Sequence, residues 1–339
     1  MSEKFSTLRQ KVLERWHKAA EVEGIPKDAY KPNIRIVESN ANPGYVFGII
    51  HNENRFNRPT SQENIKESSN CSLCNASLSA KNNQLMNLIT EEKVLDYIFT
   101  INKFPIIEGF SLAITEKERP MYTTQKIDNL ESELNYFVNF SDKTGFEIFH
   151  NSPGFGATIP AHEHWHLTTF RNGYDILGKT YGFDAAEKIS CKKTKDISVM
   201  PSFPFSHLVF HKEDVKGVVS FLSNVQKELG DKYKNRGVPH TISQGYDGIL
   251  ITIGKEYLQR CKGSGDVAGH IPVKSKEEFD KITHEDCIKE MDKILFRKEE
   301  INLEKFICSN NLIKVLPIEM INCRKLKHFN RSNEIYRYI

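Results

Sequence analysis

Between residues 150 and 170 the chain reads HNSPGFGATIPAHEHWHLTTF, with His162, His164 and His166 at every second position. In an extended backbone that spacing sends the three imidazoles and Thr168 to one face, and Glu163, Trp165, Leu167 and Thr169 to the other. Trp165 and Leu167 suit a packed layer. The whole chain holds twelve histidines, so three on one face point to a site rather than to core filling, where each neutral ring needs its own hydrogen-bond partners. A neutral imidazole attacks phosphorus well when a carbonyl holds one nitrogen as a donor and the other nitrogen faces the substrate. The preceding residues 151–158, NSPGFGAT, offer Gly154 and Gly156 for close backbone approach to an anion, and the hydroxyls of Ser152 and Thr158. Loop and rings together suit the breaking of a phosphoanhydride through a nucleotidyl-histidine, with preorganised donors meeting charge on the phosphoryl oxygens.

A second constellation is Cys71-Ser72-Leu73-Cys74. A CxxC pair is half a zinc site, a redox pair, or two unrelated thiols. A redox pair is expected at a helix start in a βαβ context, which is not evident here. Lys103, Arg55 and Arg58 are candidate anion contacts, weighed against ordinary solvated charges.

The elements that must position these residues follow from periodicity. Phe5, Leu8, Val12, Trp16 and Ala19 predict a packing helix over 4–22, stopped by Gly24 and Pro26. Strands are expected at 34–37, 45–50, 94–102, 110–115 and 146–149, with a helix marked by Ile127, Leu130, Leu134 and Phe137 before the last. Residues 51–69 read as a long polar loop and 174–198 as a connection with a solvated lysine cluster. A similar order then resumes: Phe203-Pro204-Phe205, a strand over 206–211, a helix through Val215, Val218, Leu222, Val225 and Leu229, and a strand over 248–253. Aromatic-Pro step, strand, helix and return strand recur, which suggests an internal duplication whose second half lacks the histidine cluster. Ser275 to Glu278 is a capping box predicting a single helix through Phe279, Ile282, Ile288, Met291 and Ile294. Helices segregated from largely antiparallel strands mean α+β. The expected organisation is an N-terminal helix (1–30), a half carrying the triad (31–195), a degenerate second half (196–300) and a basic tail (301–339).

Composition narrows the classes. A formal charge of +3 over 339 residues makes no case for a nucleic-acid polymer as partner, and 39% hydrophobic residues suffice for a core. Seven cysteines spread over this length suggest no disulfide framework. No signal-peptide pattern and no apolar run long enough to span a bilayer are evident, so the expectation is a cytoplasmic protein without a membrane partner.

GFGATIPAHEHWHL resembles the active-site segment of the histidine-triad (HIT) superfamily, and most nearly the branch of galactose-1-phosphate uridylyltransferases and diadenosine tetraphosphate phosphorylases. The resemblance implies a HIT-like antiparallel sheet with packed helices in two degenerate repeated halves. It implies a nucleotidyltransferase or phosphorylase acting on a nucleoside diphosphate sugar or dinucleoside polyphosphate, with a HIT-type hydrolase as alternative. Carried over, His164 is the nucleophile. His162 orients it through its backbone carbonyl or binds metal, and His166 contacts phosphate. Thr158 and Asn151 match the loop's phosphate-binding hydroxyl and opening Asn, and Asn102-Lys103-Phe104-Pro105 is similar to the segment lining the nucleoside pocket. Residues 203–208 and 248–253 resemble the second half of duplicated members. Relatives of this kind bind structural zinc through CxxC, a His after the second strand, and the first triad His. Cys71, Cys74 and His162 fit, but the remaining position falls near 116–119, where Glu118 or another His would have to serve. The resemblance implies no organic cofactor and a homodimer. Two departures stand out: one extra residue between Thr158 and His162, and His166 where transferases usually carry Gln.

Two readings compete. Gly156, five residues and His162-x-His164 match the opening of a cupin metal motif, in which the histidines would ligate iron, manganese or zinc inside a β-barrel oxygenase or isomerase. That motif wants Glu four or five residues after the second His, where Thr168 and Thr169 stand, and the long helices suit a barrel badly. The other is a catalytically silent nucleotide-binding protein that keeps the triad for packing or metal.

Overall fold

Helix α1 (Glu3–Val22) buries Val12, Trp16, Ala19 and Ala20, a stripe at helical spacing, and ends at Gly24, whose φ of +67° a residue without Cβ adopts freely. The computed structural model describes residues 3–38, 46–53, 71, 73–75, 96–117, 119–157, 159–169, 187–188, 197–200, 203–234, 236–244, 248–257 and 263–308. Strands β1 (Asn33–Glu38) and β2 (Val46–His51) pair antiparallel. They do not join the main sheet. β12 (His270–Val273) adds to β2 in parallel and makes a three-stranded sheet.

The main sheet has nine strands in the order β3-β4-β6-β5-β10-β11-β9-β8-β7. They are β3 (Tyr97–Ile101), β4 (Ser111–Thr115), β5 (Glu147–Asn151), β6 (His164–Thr168), β7 (Glu187–Lys188), β8 (Ile197–Val199), β9 (His207–His211), β10 (His240–Gln244) and β11 (Gly248–Ile253). All their pairings are antiparallel. Helix α2 (Leu130–Thr144) lies between β4 and β5 in sequence, and α3 (Val215–Leu229) between β9 and β10. Strand, strand, helix, strand, strand therefore occurs twice, and the repeats meet where β5 pairs with β10. The α+β architecture with repeated halves is as expected.

One face of the sheet packs on α1, α2, α3 and the short α7 (Lys305–Cys308), through Trp165, Leu167, Ile148, Ile242, Ile251, Phe137 and Leu222 among others. Asp214 caps α3 by accepting from Gly217 N at 3.0 Å, and Gly145 closes α2 at φ +72°. The other face carries Phe149, Leu250 and Val209, which pack with the small sheet, with the single turn α4 (Ser264–Val267), and with α5 (Lys276–Lys281) and α6 (His284–Asp292). Here the expected single helix is two. Ile282 turns extended (ψ 133°) and Thr283 opens α6 with its own capping box to Asp286. Ser275 does accept from Glu278 N, but Glu278 Oε2 reaches Lys274 N, so that box is not reciprocal. Residues 54–70, most of 174–198 and the tail from 309 lie outside the described residues.

Candidate active site

Strand β6 begins at His164, not at His162. Pro160 O accepts from Met121 N, and His162 N bonds Ile159 O in a turn, so the backbone is not yet extended at the first histidine. The expectation of three rings on one face therefore holds for two. His164 and His166 lie opposite Ile114 and Leu112 of β4, with ring centroids 5.2 Å apart. The His162 ring turns away to the CxxC segment. Its Nδ1 lies 3.5 Å from Cys71 Sγ and 3.3 Å from Cys74 Sγ, while its Nε2–H donates to Thr115 O at 2.8 Å.

That last bond fixes the tautomer with the lone pair on Nδ1, facing the sulfurs. Two thiols and one imidazole nitrogen have their ligand atoms within 4.8 Å of one another, a grouping that could hold a metal ion. Zinc–sulfur and zinc–nitrogen bonds of about 2.3 and 2.0 Å at a tetrahedral angle put S and N roughly 3.5 Å apart, close to the spacing here. No fourth ligand joins them among the described residues. Arg119, in the region where one is expected, is tied instead to Glu133 at 2.8 Å and to Tyr97 OH at 2.9 Å. Glu118 lies outside the described residues.

His164 is 4% exposed. Its Nδ1–H donates to His162 O at 2.8 Å, and no described residue bonds its Nε2. Burial lowers its pKa against the His162 carbonyl and Glu163, which raise it, so the ring stays neutral near pH 7 with the Nε2 lone pair free. His166 is partly exposed beside Phe110.

The glycine loop leaves β5 at Asn151. Gly154 and Gly156 adopt φ of +81° and +83°, which only a residue without Cβ takes cheaply. A Cβ on Gly154 would lie 2.4 Å from the Tyr257 ring, and one on Gly156 would lie 2.5 Å from Gly263 Cα. The first-half loop is thus moulded onto the segment that follows β11 in the second half. Continuing the β5–β6 register places Asn151 opposite His164, and Asn151 also faces Gly263. Ser152 differs from expectation: its Oγ accepts from His240 N at 2.8 Å, so it joins the two halves rather than facing a ligand. Thr158 lies outside the described residues.

At the other end of the face, Asn102 Oδ1 accepts from Phe104 N at 2.9 Å and shapes the turn after β3. Lys103 pairs with Glu23 at 2.6 Å, which disfavours a role in holding anions. Arg55 and Arg58 lie outside the described residues. Thr100, Thr168 and Ser243 bring buried hydroxyls without a described partner to the face that carries His164 and His166.

Sequence reasoning missed the layer beneath. Glu163 is fully buried, with Oε2 accepting from Tyr122 N at 2.6 Å and Oε1 3.0 Å from His150 Nε2. Burial pushes its pKa up to about 8 and that of His150 down to about 3. Beside them, Tyr97 OH donates to Glu133 and accepts from Trp165 Nε1 at 3.2 Å. The available signal was an acidic residue just before the strand, in alternation with the apolar Trp165 and Leu167.

Fold and site together define an α+β protein with two repeated halves and a histidine cluster in the first of them. Residues 33–169 match the model of a family described as "Domain of unknown function (DUF4922)". Comparison with curated protein sequences gives no match. Among solved structures the chain is similar to yeast Ap4A phosphorylase Apa2 in complex with AMP, at TM-score 0.60 and 13% identity over 88% of this chain and 98% of that one. The complex of the same yeast protein with Ap4A gives TM-score 0.59 and 15% identity over 86% and 97% of the two chains. The fold is therefore the one implied by the resemblance to the galactose-1-phosphate uridylyltransferase and diadenosine tetraphosphate phosphorylase branch. It is not a cupin barrel. No described helix is long and apolar enough to cross a membrane.

Proposed function

We propose that this chain is a nucleotidyltransferase or phosphorylase acting on a dinucleoside polyphosphate or a nucleoside diphosphate sugar by double displacement. The observation that carries this reading is the pinned His164: Nδ1–H held by the His162 carbonyl, Nε2 without a partner among the described residues, and a positive-φ glycine loop beginning at the strand beside it. The Nε2 lone pair attacks the α-phosphorus, and the P–O bond to the leaving phosphate or sugar phosphate breaks with its electron pair going to that oxygen. An acceptor oxygen then attacks the nucleotidyl-histidine and releases Nε2. Through both steps the His162 carbonyl stabilises the charge that develops on the ring. His166 and the amides of Gly156 and Ala157 meet phosphoryl oxygens, while Phe155 N closes the loop on Ser152 O at 3.0 Å, and Asn102 and Phe104 line the nucleoside end.

Cys71, Cys74 and His162 would hold a structural zinc, which when bound supplies a rigid anchor for the strand start rather than a catalytic group. Transfer to phosphate or a sugar phosphate, rather than to water, is favoured by a fold that spans 98% of a phosphorylase chain. The test is incubation with α-³²P-labelled dinucleoside polyphosphates and nucleotide sugars. Acid-labile, alkali-stable label on the wild type, absent from His164→Ala, is expected. Label that persists in His164→Ala, or wild-type protein that takes none from any substrate, overturns the proposal.

A further inference from the structure

Resting on that reading of His164, we infer that Glu163 is a positioning residue whose carboxyl anchors the backbone between the two histidines it separates. Its side chain enters the helix-side layer, opposite to His164, and is 0% exposed. Two features set it apart from core filler. First, its carboxyl is used twice, by Tyr122 N at 2.6 Å and by His150 Nε2 at 3.0 Å. Second, it completes a stitch between two chain segments. Met121 N donates to Pro160 O at 3.0 Å, Glu163 N to Arg119 O at 2.6 Å, and Thr115 N to Glu163 O at 3.2 Å. The connection over 115–122 thus wraps residues 160–163, and the Glu163 carboxyl adds a buried side-chain tie to that wrap beside the bond from His162 Nε2–H to Thr115 O. An aliphatic residue at this position, as strand alternation would suggest, leaves Tyr122 N buried and unpaired.

What the stitch holds is the peptide between His162 and His164. That peptide must aim the His162 carbonyl at His164 Nδ1 and, at the same time, turn the His162 ring toward Cys71 and Cys74. A rotation of this unit misdirects the nucleophile without touching any substrate contact. The expected signature is therefore loss of kcat with KM retained. Misplacement of about 1 Å costs on the order of 100-fold in rate.

The test compares Glu163→Leu, which matches the volume without the acceptors, with Glu163→Gln, whose amide oxygen accepts from Tyr122 N and whose NH₂ donates to His150. Glu163→Leu is expected to lower kcat by about 100-fold with KM within about threefold, and Glu163→Gln to keep at least about a third of wild-type kcat. An independent readout needs no turnover: the downfield imidazole N–H proton of His164, followed by ¹⁵N-edited NMR of the full chain. It should be sharp in wild type and Glu163→Gln and exchange-broadened in Glu163→Leu. Should Glu163→Leu not fold, His150→Leu removes one of the carboxyl's two partners. That variant is expected to lose about 10-fold in kcat, with a broadened His164 signal. Wild-type kcat and an unchanged His164 proton in the folded Leu variant, or in His150→Leu, overturn the inference. If wild type itself shows no turnover on any substrate, the enzymatic reading fails while the NMR arm still decides the positioning role.

Discussion

The seam between the glycine loop and the second half makes a quantitative prediction. Gly154 stands at φ +81°, and the three nearest atoms its Cβ would meet belong to the Tyr257 ring. Gly154→Ala should therefore cost about 1–2 kcal/mol for an L-residue in the left-handed region, and about 1–3 kcal/mol more for overpacking. Tyr257→Ala alone should cost about 1–3 kcal/mol, because the ring is only partly buried and gives up the Arg236 guanidinium 5.4 Å above it. Combined, the two substitutions keep the backbone strain and lose the clash, so the double variant should be more stable than additivity allows by about 1–3 kcal/mol. Gly156→Ala is the control. Its Cβ would meet Gly263 Cα at 2.5 Å, and no side-chain truncation removes a backbone atom. Equilibrium urea unfolding followed by both tryptophan fluorescence and circular dichroism measures the cycle. Additivity within about 0.5 kcal/mol for Gly154→Ala and Tyr257→Ala would refute the proposed packing of loop on ring.

Acid stability follows from the buried histidines. Burial lowers the pKa of His150, His207 and His270 to about 3 and of His240 to about 4. Their contribution is complete above the unfolded value near 6.5 and lost as pH falls toward those folded values, since only the unfolded chain takes up the protons. Glu163, raised to about 8, acts in the opposite sense and weakens the fold as pH rises from 4.5 to 8. Near pH 5 the net is about three protons bound on unfolding, which urea midpoints measured from pH 7 to 5 should register; a flat profile would contradict it. For the metal set, cobalt substitution should give intense sulfur-to-metal absorption that Cys74→Ser diminishes, with metal analysis at one ion per chain. Spectra without sulfur ligation would exclude Cys71 and Cys74 as ligands. Arg119→Leu should destabilise by about 3–5 kcal/mol by leaving the carboxyl of Glu133 buried without its cation. Denaturant midpoints read this directly, and a loss under about 1 kcal/mol would show the pair to be dispensable.

Much of the scaffold was legible because it rests on local periodicity. Alternation in the segment from His164 to Thr168 separates Trp165 and Leu167 from the two histidines, and helical spacing marks α1 and α3 within a residue or two. What was not legible depends on partners far apart in the chain. The His162 ring meets thiols 91 and 88 residues earlier, and nothing local says it leaves the strand to do so. Pro160 was the available hint, since it sits inside the turn that His162 N closes on Ile159 O just before the strand. The parallel pairing of β2 with β12 joins residues more than two hundred positions apart, and neither strand's pattern names the other.

The duplication explains why such a protein carries one triad. β5 and β6 of the first half are joined by residues 152–163, whereas their counterparts β10 and β11 are joined by only 245–247. Three residues are too few for a glycine loop of the length that joins β5 to β6. The second half is then free to serve as the wall on which the first half's loop is shaped. Ser152 reaches His240 N there, a Cβ on Gly254 would strike Phe155, and Tyr257 covers Gly154. An apolar Gly-Ile-Leu-Ile-Thr-Ile strand in β11, where β6 carries histidines, is what a buried supporting strand requires. On this argument the second half governs the loop's rigidity rather than its chemistry. Under the proposed function, substitutions at Tyr257 or Gly263 should alter phosphate binding and leave labelling of His164 in place.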